Sequence, residues 1–333
     1  MGRAPVSPRA RTEARDAAGR RLWPATSEFD AIASAFPWTR DARGVGDDAA
    51  LVGKNGLLCC DALAEGVHFR RDWSSFRDIG WKAVAQNVAD IFAMGGHPTE
   101  AVWSVGLGAD WTPRDFRDLA RGALEACERF GCRLVGGDTL RTKGGGFVSL
   151  ALSGTLAGKP WLRSGAKPSD HLVLVGSLGL SAAGLALLQA STKAPSTLAV
   201  RRHRRPEPPR DGFERLLELG SRVHAAIDIS DGLSSECHHL ALASGLALRL
   251  DLAALPRDPS LKRAAGLLGG DAALVENWIL HGGEEHSLLV ALDPRAPIPV
   301  GSRQIGRFSV GEGVTLDSGE VLARLPPGGW THS

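Results

Sequence analysis

Apolar segments typical of strands alternate along this chain with segments of helical periodicity. Four stretches of the first half have the character of strands: LLCCDALAEGVHF, TEAVWSVGLG, CRLVGGDTL and FVSLALSGTLAG. Two stretches between them have the periodicity of helices: FRDIGWKAVAQNVADIFAMGG and TPRDFRDLARGALEACERFG, the latter with Thr112 as its N-cap and Gly131 past its end. The second half resumes the alternation with HLVLVGSLG and LSAAGLALLQA. This pattern predicts an α/β (α+β) fold built from two domains.

The predicted division into domains follows local changes of composition. Residues 1–26 are rich in Arg, Ala and Pro and have no apolar periodicity, so we expect a disordered leader. The Gly-, Pro- and Lys-rich connection GKPWLRSGAKPSD separates a predicted N-terminal domain at 27–158 from a predicted C-terminal domain at 159–333. The basic, Pro-rich segment VRRHRRPEPPRDG is predicted to be a surface loop.

Charge and cysteine content argue against several classes of function. The formal net charge is only +2, so we expect no nucleic-acid partner. The five cysteines are an odd number and include no C-x-x-C pair. This argues against a disulfide framework and a zinc ribbon, and it fits a cytoplasmic protein. No apolar run is long enough to span a bilayer, so we expect no membrane partner.

Seven aspartates fall at strand ends, in glycine turns or on one helix. Asp is disfavoured inside strands and helices, and neighbouring carboxylates, as in GVGDDAA, repel unless a cation or water offsets the repulsion. Each aspartate taken singly could cap a helix or close a turn. As a set they predict several Mg²⁺ ions, because hard cations prefer oxygen ligands. The seven are Asp47, Asp48, Asp61, Asp90, Asp138, Asp228 and Asp231.

The helix predicted over 78–95 carries one of these aspartates beside its apolar face. The core face of this helix contains Trp81, Val84, Val88, Ile91 and Phe92. A separate stripe along one edge contains Ala83, Asn87, Asp90 and Met94. A carboxylate and an amide beside small or apolar neighbours could form an edge of oxygen ligands for a cation. The alternative is a polar margin between core and solvent.

Two glycine-rich turns suggest contacts with phosphate. In LVGGDT, Gly136 and Gly137 follow a strand and directly precede Asp138. Glycines let backbone N–H groups approach an anion, and the aspartate could hold a metal bound to the same phosphate. In AIDISDG, Ser230 begins a second such turn. VGSLGLSAAG lacks the Lys-Ser/Thr of a Walker A loop, and the dinucleotide fingerprint is absent. The residues therefore predict Asp-held Mg²⁺ and polyphosphate chemistry without a standard P-loop.

These segments also resemble a known family. In family order, the chain contains GVGDDAALV, CDALAEGVHF, DIGWKAVAQNVADIFAMGGHP, LVGGDTLR, RSGAKPSDHLVLVGSLGLSAAGLALL, RRHRRPEPPR, AIDISDGL, HGGEE and GGWTH. Together they resemble the thiamine-monophosphate kinases of the aminoimidazole-ribonucleotide-synthetase-like superfamily. The resemblance implies ATP-dependent phosphorylation of thiamine monophosphate to thiamine diphosphate. It also implies a homodimer in which the N-terminal domains pair into a shared barrel-like sheet.

The resemblance further implies roles for the matching residues. Metal binding falls to Asp47, Asp48, Cys59, Cys60, Asp61, Asp90, Asp138, Asp228 and Asp231. ATP binding falls to Gly136, Gly137, Asp138, Arg163 and Ser230. Catalytic roles at the transferred phosphoryl group fall to Asp48, Asp90, Asp138 and Arg163. Binding of thiamine monophosphate falls to His68, Glu284 and Trp330. An acceptor phosphate is already ionised at neutral pH, so direct in-line transfer needs no strong general base.

The chain departs from the family pattern in two places. The family usually has Ser-Thr-Asp where this chain has Cys59-Cys60-Asp61, and Gly-Gly-Glu-Asp-Tyr-Glu where it has GGEEHS at 282–287. The first departure concerns metal binding and the second concerns recognition of the acceptor. Two alternatives are another ATP-using enzyme of the superfamily with a different acceptor, and a non-catalytic dimer that binds nucleotide or thiamine phosphate.

Overall fold

The computed structural model describes residues 46–191 and 197–329. The predicted leader and Trp330 lie outside the described residues, and the predicted domain boundaries stay predictions. No helix in the described ranges combines the length and apolarity needed to cross a membrane.

The first half of the described chain forms a five-stranded sheet covered on one face by two helices. The strand order is β1-β2-β5-β3-β4, antiparallel except for the β3–β4 pair. Two glycines let the helices approach closely: a Cβ at Gly80 would overlap the Leu119 carbonyl, and one at Gly122 would overlap the Arg77 carbonyl. The elements are β1 (Ala50–Val52), β2 (Gly56–Ala64), α1 (Phe76–Ala93), β3 (Gly96–Leu107), α2 (Pro113–Phe130), β4 (Arg133–Arg141) and β5 (Phe147–Leu156).

Local sequence signals set the ends of both helices. Helix α1 begins behind a capping box in which the Ser75 hydroxyl accepts from the Asp78 backbone N–H and the Asp78 carboxylate accepts from the Ser75 N–H. Helix α2 has Thr112 at its N-cap and ends at Gly131, whose φ of 82° is left-handed. The predicted caps of α2 are thus confirmed.

Helix α1 is more buried than the core face and edge stripe of its sequence predict. It contacts strands of both sheets as well as α2. The predicted edge stripe is therefore not a margin between core and solvent: Ala83, Asn87 and Met94 are fully buried, and only Asp90 is partly exposed. The Asn87 amide donates 2.9 Å to the Ala83 carbonyl, which satisfies it within the helix.

The second half forms a seven-stranded mixed sheet with six more α-helices. The strand order is β12-β11-β8-β10-β6-β9-β7, and β8–β11 is its parallel pair. The elements are β6 (His171–Val175), α3 (Leu180–Ala190), α4 (Leu198–Arg204), α5 (Arg210–Glu218), β7 (Val223–Asp228), α6 (Leu233–Ser244), β8 (Ala247–Asp251), α7 (Pro259–Leu267), α8 (Ala272–His281), β9 (Leu288–Leu292), β10 (Ser302–Ser309), β11 (Gly313–Asp317) and β12 (Leu322–Arg324). The two-sheet architecture confirms the predicted fold class.

The prediction of a surface loop at VRRHRRPEPPRDG is wrong. This segment contains most of α4 and the start of α5, which are joined at the Pro-rich stretch. His203 of α4 is 4% exposed, and Phe213 of α5 stacks on Phe92 with ring centroids 4.2 Å apart. The arginines obscured this apolar face in the sequence, because their charged ends can reach water while their stems lie along the helix.

Candidate active site

Three aspartates from distant parts of the chain converge at one point. Asp48 lies in the turn before β1, Asp90 lies in the last turn of α1, and Asp228 ends β7. One carboxylate oxygen of each lies within 4.8 Å of the others. The Asp48 side chain is 1% exposed and Asp228 is 3% exposed. Three of the seven aspartates named in the sequence analysis, Asp48, Asp90 and Asp228, therefore lie close enough together that they could share one cation.

The cluster carries more negative charge than a buried site tolerates without a cation. Burial raises the pKa of Asp48 to about 7, against the opposing effect of Arg163. Burial, followed by the neighbouring carboxylates, raises the pKa of Asp90 well above its usual range. Asp48 Oδ2 is buried and has no hydrogen-bond partner among the described residues. An orphaned carboxylate oxygen beside two further carboxylates fits a divalent metal such as Mg²⁺.

Arg163 offsets the repulsion between the two adjacent aspartates. Its Nη2 donates to Asp48 Oδ1, and its backbone N–H donates 2.8 Å to Asp47 Oδ1. The Arg163 carbonyl accepts from the Ser244 hydroxyl at 2.9 Å, which fixes the segment that carries the arginine. Arg163, predicted to bind phosphate, therefore lies beside the three-aspartate cluster.

Strand β2 separates the three residues of the Cys-Cys-Asp motif. Its alternation directs Cys59 and Asp61 towards α1, whereas Cys60 is on the outer face. The Cys59 thiol lies 3.4 Å from the Asn87 carbonyl oxygen, and burial raises its pKa well above the usual value. The Cys60 thiol is 3.6 Å from the Ser149 hydroxyl. Burial raises the pKa of Asp61 to about 6, with Asp228 adding to the effect.

The structure does not bring Asp138 to the three-aspartate cluster. Asp138 of β4 pairs with Ser104 of β3, and Ser104 pairs in turn with Ser149 of β5. Ser149 pairs with Ala62 of β2. This register places Asp138 on the outer face of the sheet. Asp138 is exposed and its Oδ1 accepts from the Thr139 N–H at 2.8 Å. The two glycines before Asp138 differ in the space around them. A Cβ at Gly137 would overlap Trp103, whereas a Cβ at Gly136 would meet nothing within 4 Å.

The turn after β7 is organised by a glutamate that the sequence reasoning missed. Glu236, in the first turn of α6, accepts from the Asp231 N–H at 2.8 Å and from the Ser230 hydroxyl at 3.4 Å. Burial raises the pKa of Glu236 to about 8. Its position three residues into the helix that follows the turn is the signal that could have identified it.

A cavity of about 680 Å³ opens beside the aspartates. Its lining includes the buried His203. Six of the predicted site residues also line this one space: Cys60, Asp61, His68, Ser230, Asp231 and Glu284. Gly329, the last described residue, also lines it, immediately before Trp330.

The loop between α8 and β9 joins this cavity to the cluster. Glu284 and His286 have positive φ of 57° and 53°, a conformation that non-glycine residues adopt at a cost. The Glu284 N–H donates 2.6 Å to the Ser230 carbonyl, and the His286 N–H donates 2.8 Å to the Ile229 carbonyl. His286 Nδ1 lies 3.1 Å from Asp228 Oδ2. The strained loop therefore holds Glu284, which lines the cavity, against the residues that follow β7.

The side chains that contact Glu284 were also missed from the sequence. Lys82 Nζ lies 2.8 Å from Glu284 Oε1, and His203 Nδ1 lies 3.3 Å from Glu284 Oε2. Glu285 accepts from the Ser181 N–H at 2.7 Å, at the N-terminus of α3. A lone lysine inside the apolar part of α1 is a detectable signal, since a buried ammonium group requires a partner.

Comparison with protein families defines the class to which this fold and site belong. Residues 46–159 match the model of the AIR synthase related protein N-terminal domain, and residues 167–295 match that of its C-terminal domain. The protein is therefore a two-part AIR-synthase-related α/β protein.

Individual relatives narrow the class. The chain is 40% identical over 282 residues to a thiamine-monophosphate kinase of Mycobacterium tuberculosis, covering 83% of this chain and 82% of the relative. It is 36% identical over 275 residues to the Bacillus subtilis thiamine-monophosphate kinase, covering 78% and 82%. A solved structure described as AaThiL complexed with AMPPCP and TMP superposes with a TM-score of 0.82 at 31% identity, covering 92% of this chain and 97% of that one. The chain belongs to the thiamine-monophosphate kinase family.

Proposed function

We propose that this protein transfers the γ-phosphoryl group of ATP to thiamine monophosphate, giving thiamine diphosphate by direct in-line transfer. The observation that carries this proposal is the cluster of three aspartates next to a 680 Å³ cavity. It is supported by the similarity to a kinase structure that contains AMPPCP and TMP. The free thiols of all five cysteines fit a reaction in the cytoplasm.

Magnesium binding is proposed for the aspartate cluster. Asp48, Asp90 and Asp228 would hold one ion, and Asp61 and Asp231, which line the cavity, would hold others. Bound Mg²⁺ would neutralise charge on the phosphates of ATP. Asp138 lies apart on the outer face, so its proposed metal role depends on phosphate reaching that face.

The chain's own residues would bind and orient the two substrates. Arg163 is placed to contact a phosphate oxygen while its backbone stays anchored on Asp47. The Ser230 hydroxyl and the backbone at Gly137 offer further donors to phosphate. No residue needs to remove a proton from the acceptor, because the acceptor phosphate is already ionised.

Acceptor recognition is proposed for the part of the cavity that His68 and Glu284 line. Trp330 follows another lining residue, Gly329, in sequence. A carboxylate at Glu284 can bind an amino group or balance a cationic ring, and an indole at Trp330 can stack on such a ring. These features match the aminopyrimidine and thiazolium of thiamine monophosphate.

A homodimer is proposed from the uncovered face of the first sheet. The helices cover one face, and the other exposes apolar side chains along three strands that should be buried by a second copy. These side chains are Leu58, Val102, Val135 and Leu140, each 45–55% exposed.

The deciding experiment combines purified protein, ATP, Mg²⁺ and thiamine monophosphate, with products identified by mass. Formation of thiamine diphosphate and ADP supports the proposal. Binding of both substrates without turnover would instead support a non-catalytic dimer. If ATP is consumed only when a different phosphorylated or amine acceptor is supplied, the result would support another activity of the superfamily.

A further inference from the structure

Lys82 is a buried cation in a helix that is otherwise mostly apolar. Its side chain is 3% exposed, and its Nζ donates 2.8 Å to Glu284 Oε1 and 3.4 Å to the His68 carbonyl. An unpaired ammonium group at this depth would be strongly unfavourable. Lys82 lies within the N-terminal family match at 46–159 and Glu284 within the C-terminal match at 167–295, so this ion pair joins the two parts at the cavity.

His203 approaches the other oxygen of the same carboxylate. Its Nδ1 lies 3.3 Å from Glu284 Oε2 and 3.1 Å from the Ser181 hydroxyl. Burial, with Lys82 adding to the effect, lowers the pKa of His203 to about 3, so the imidazole is neutral at neutral pH. Because an ionised carboxylate can only accept, the contact is favourable with the His203 proton on Nδ1.

We propose that Lys82 and His203 are positioning residues that hold the Glu284 carboxylate in one orientation at the cavity wall. Held in this way, Glu284 selects a phosphorylated acceptor that carries a positive charge or an amino group. This inference rests on the proposed function, because it assigns the groups that prepare the acceptor side of the same site. Each carboxylate oxygen is engaged by a different helix, Lys82 on α1 and His203 on α4, so rotation of the carboxylate breaks two contacts.

The arrangement also keeps Glu284 charged. Burial alone would raise the pKa of Glu284, but Lys82 together with the neighbouring His203 and His286 outweighs it and lowers the pKa to about 2. The acceptor therefore meets an ionised carboxylate across the physiological pH range, with the Lys82 ammonium beside it. Without Lys82, Glu284 would lose its main counter-charge. Burial would then raise its pKa, so the carboxylate would take up a proton at a higher pH than in wild type.

The test compares steady-state kinetics of wild type with Lys82→Met, Lys82→Arg and the exposed control Arg249→Met, which breaks an ion pair with Asp317. Lys82→Met should raise the KM for thiamine monophosphate about tenfold or more, with the KM for ATP changed less than about threefold. Lys82→Arg should recover part of the loss. The control should match wild type.

Two further readouts separate positioning from folding. The ratio of Lys82→Met to wild-type acceptor KM should rise as pH falls from 8 to 6, because titration of the substrate cancels in the ratio. In a Glu284→Gln background, which leaves no carboxylate to hold, adding Lys82→Met should change the acceptor KM less than about twofold. If a single variant does not fold, the double variant, which buries no unpaired charge, is compared with wild type directly. An unchanged acceptor KM would then overturn the inference.

The outcomes distinguish this inference from the proposed function. A wild type that forms no thiamine diphosphate overturns both. A fully active wild type with an unchanged acceptor KM in Lys82→Met, or with equal losses for ATP and acceptor, overturns the positioning role alone. Additive effects of Lys82→Met and Glu284→Gln would also overturn it.

Discussion

At the residue scale, the site depends on carboxylates held close together, and burial raises the pKa of two of them, Asp48 and Asp90. Asp48, Asp90 and Asp228 share a volume small enough for one cation, and Arg163 supplies the nearest positive charge. Glu284 shows the opposite behaviour, since Lys82 keeps it ionised. One end of the site is therefore prepared for cations and phosphate, and the other for a cationic or amino-bearing acceptor.

Removing one carboxylate of the cluster should abolish most activity. Asp48→Asn or Asp90→Asn should lower kcat at least about a hundredfold, because each removes charge from a metal that stabilises the transition state. Initial rates at saturating ATP and Mg²⁺ measure the effect. Asp211→Asn, an exposed change on α5, is the control and should be neutral. Near-normal turnover of both cluster variants would disprove the metal-cluster model.

The outward-facing cysteine should not influence the metal. Cys60→Thr should change the Mg²⁺ requirement less than about threefold, under roughly 1 kcal/mol, because the Cys60 thiol faces Ser149 on the outer side of β2. A Mg²⁺ titration of initial rate compares the variant with wild type. If the variant needs tenfold less Mg²⁺, the hydroxyl is a ligand and this prediction fails.

The metal-free protein should lose stability as pH rises from 6.5 to 8. The pKa values of Asp48 and Glu236, about 7 and about 8, exceed the usual values of 3.8 and 4.5. The folded state then keeps protons that the unfolded state has released, so stability falls as pH rises through these values. His203 and His239 have lowered pKa values, about 3 and about 4, so they oppose this trend until the unfolded histidines lose their protons, which is nearly complete by about pH 7.5.

Thermal unfolding in EDTA at pH 6.5, 7.25 and 8 measures this trend. Added Mg²⁺ should raise Tm more at pH 8 than at pH 6.5, since deprotonated carboxylates bind it better. Asp48→Asn should flatten the dependence in EDTA. A Tm that rises with pH in EDTA would contradict the assignment of protonated carboxyls.

At the scale of elements, α1 organises the molecule. It packs on α2 through Gly80 and Gly122, contacts both sheets, and supplies Lys82 and Asp90 to opposite parts of the site. The helix is buried nearly all round, so its position is determined by close packing rather than by a single apolar stripe. A small change in the distance between α1 and α2 should therefore move Lys82 and Asp90 and alter the site.

Two glycine-to-alanine changes test this packing. Gly122→Ala should destabilise the protein by about 2 kcal/mol or more, because the new Cβ would overlap the Arg77 carbonyl. Gly266→Ala on α7 meets nothing within 4 Å and should stabilise by about 0.4–1 kcal/mol through the unfolded state. Chemical denaturation measures both. Equal effects of the two changes would mean that the α1–α2 contact is not tight.

At the scale of the whole molecule, two sheets meet around α1 and leave one face of the first sheet uncovered. The cavity lies where residues of both halves meet, so its lining comes from both family matches. The uncovered face carries both Asp138 and the apolar row with Val102. A second copy on this face would place its own surface close to Asp138.

The proposed dimer is tested by one change on that face. The wild type should sediment as a dimer, and Val102→Glu should sediment as a monomer with a similar Tm, because a charge there opposes burial by a partner. Val310→Glu, at a position 83% exposed on the second half, is the matched control and should remain dimeric. A monomeric wild type at micromolar concentration would refute the proposal.

The sequence by itself determined what depends on neighbouring residues. Caps at Thr112 and Gly131 and the strand–helix alternation follow from short-range sterics and hydrogen bonding. The expected strand-end or turn positions of Asp61 and Asp138 are wrong, because β2 and β4 continue beyond these residues. Tertiary structure alone decided which aspartates meet, because Asp48 and Asp228 are joined only by long-range packing while Asp138 falls on the opposite face. It also decided the Lys82–Glu284 pair and the helical state of the Arg-rich segment, since burial against distant residues overrides local composition.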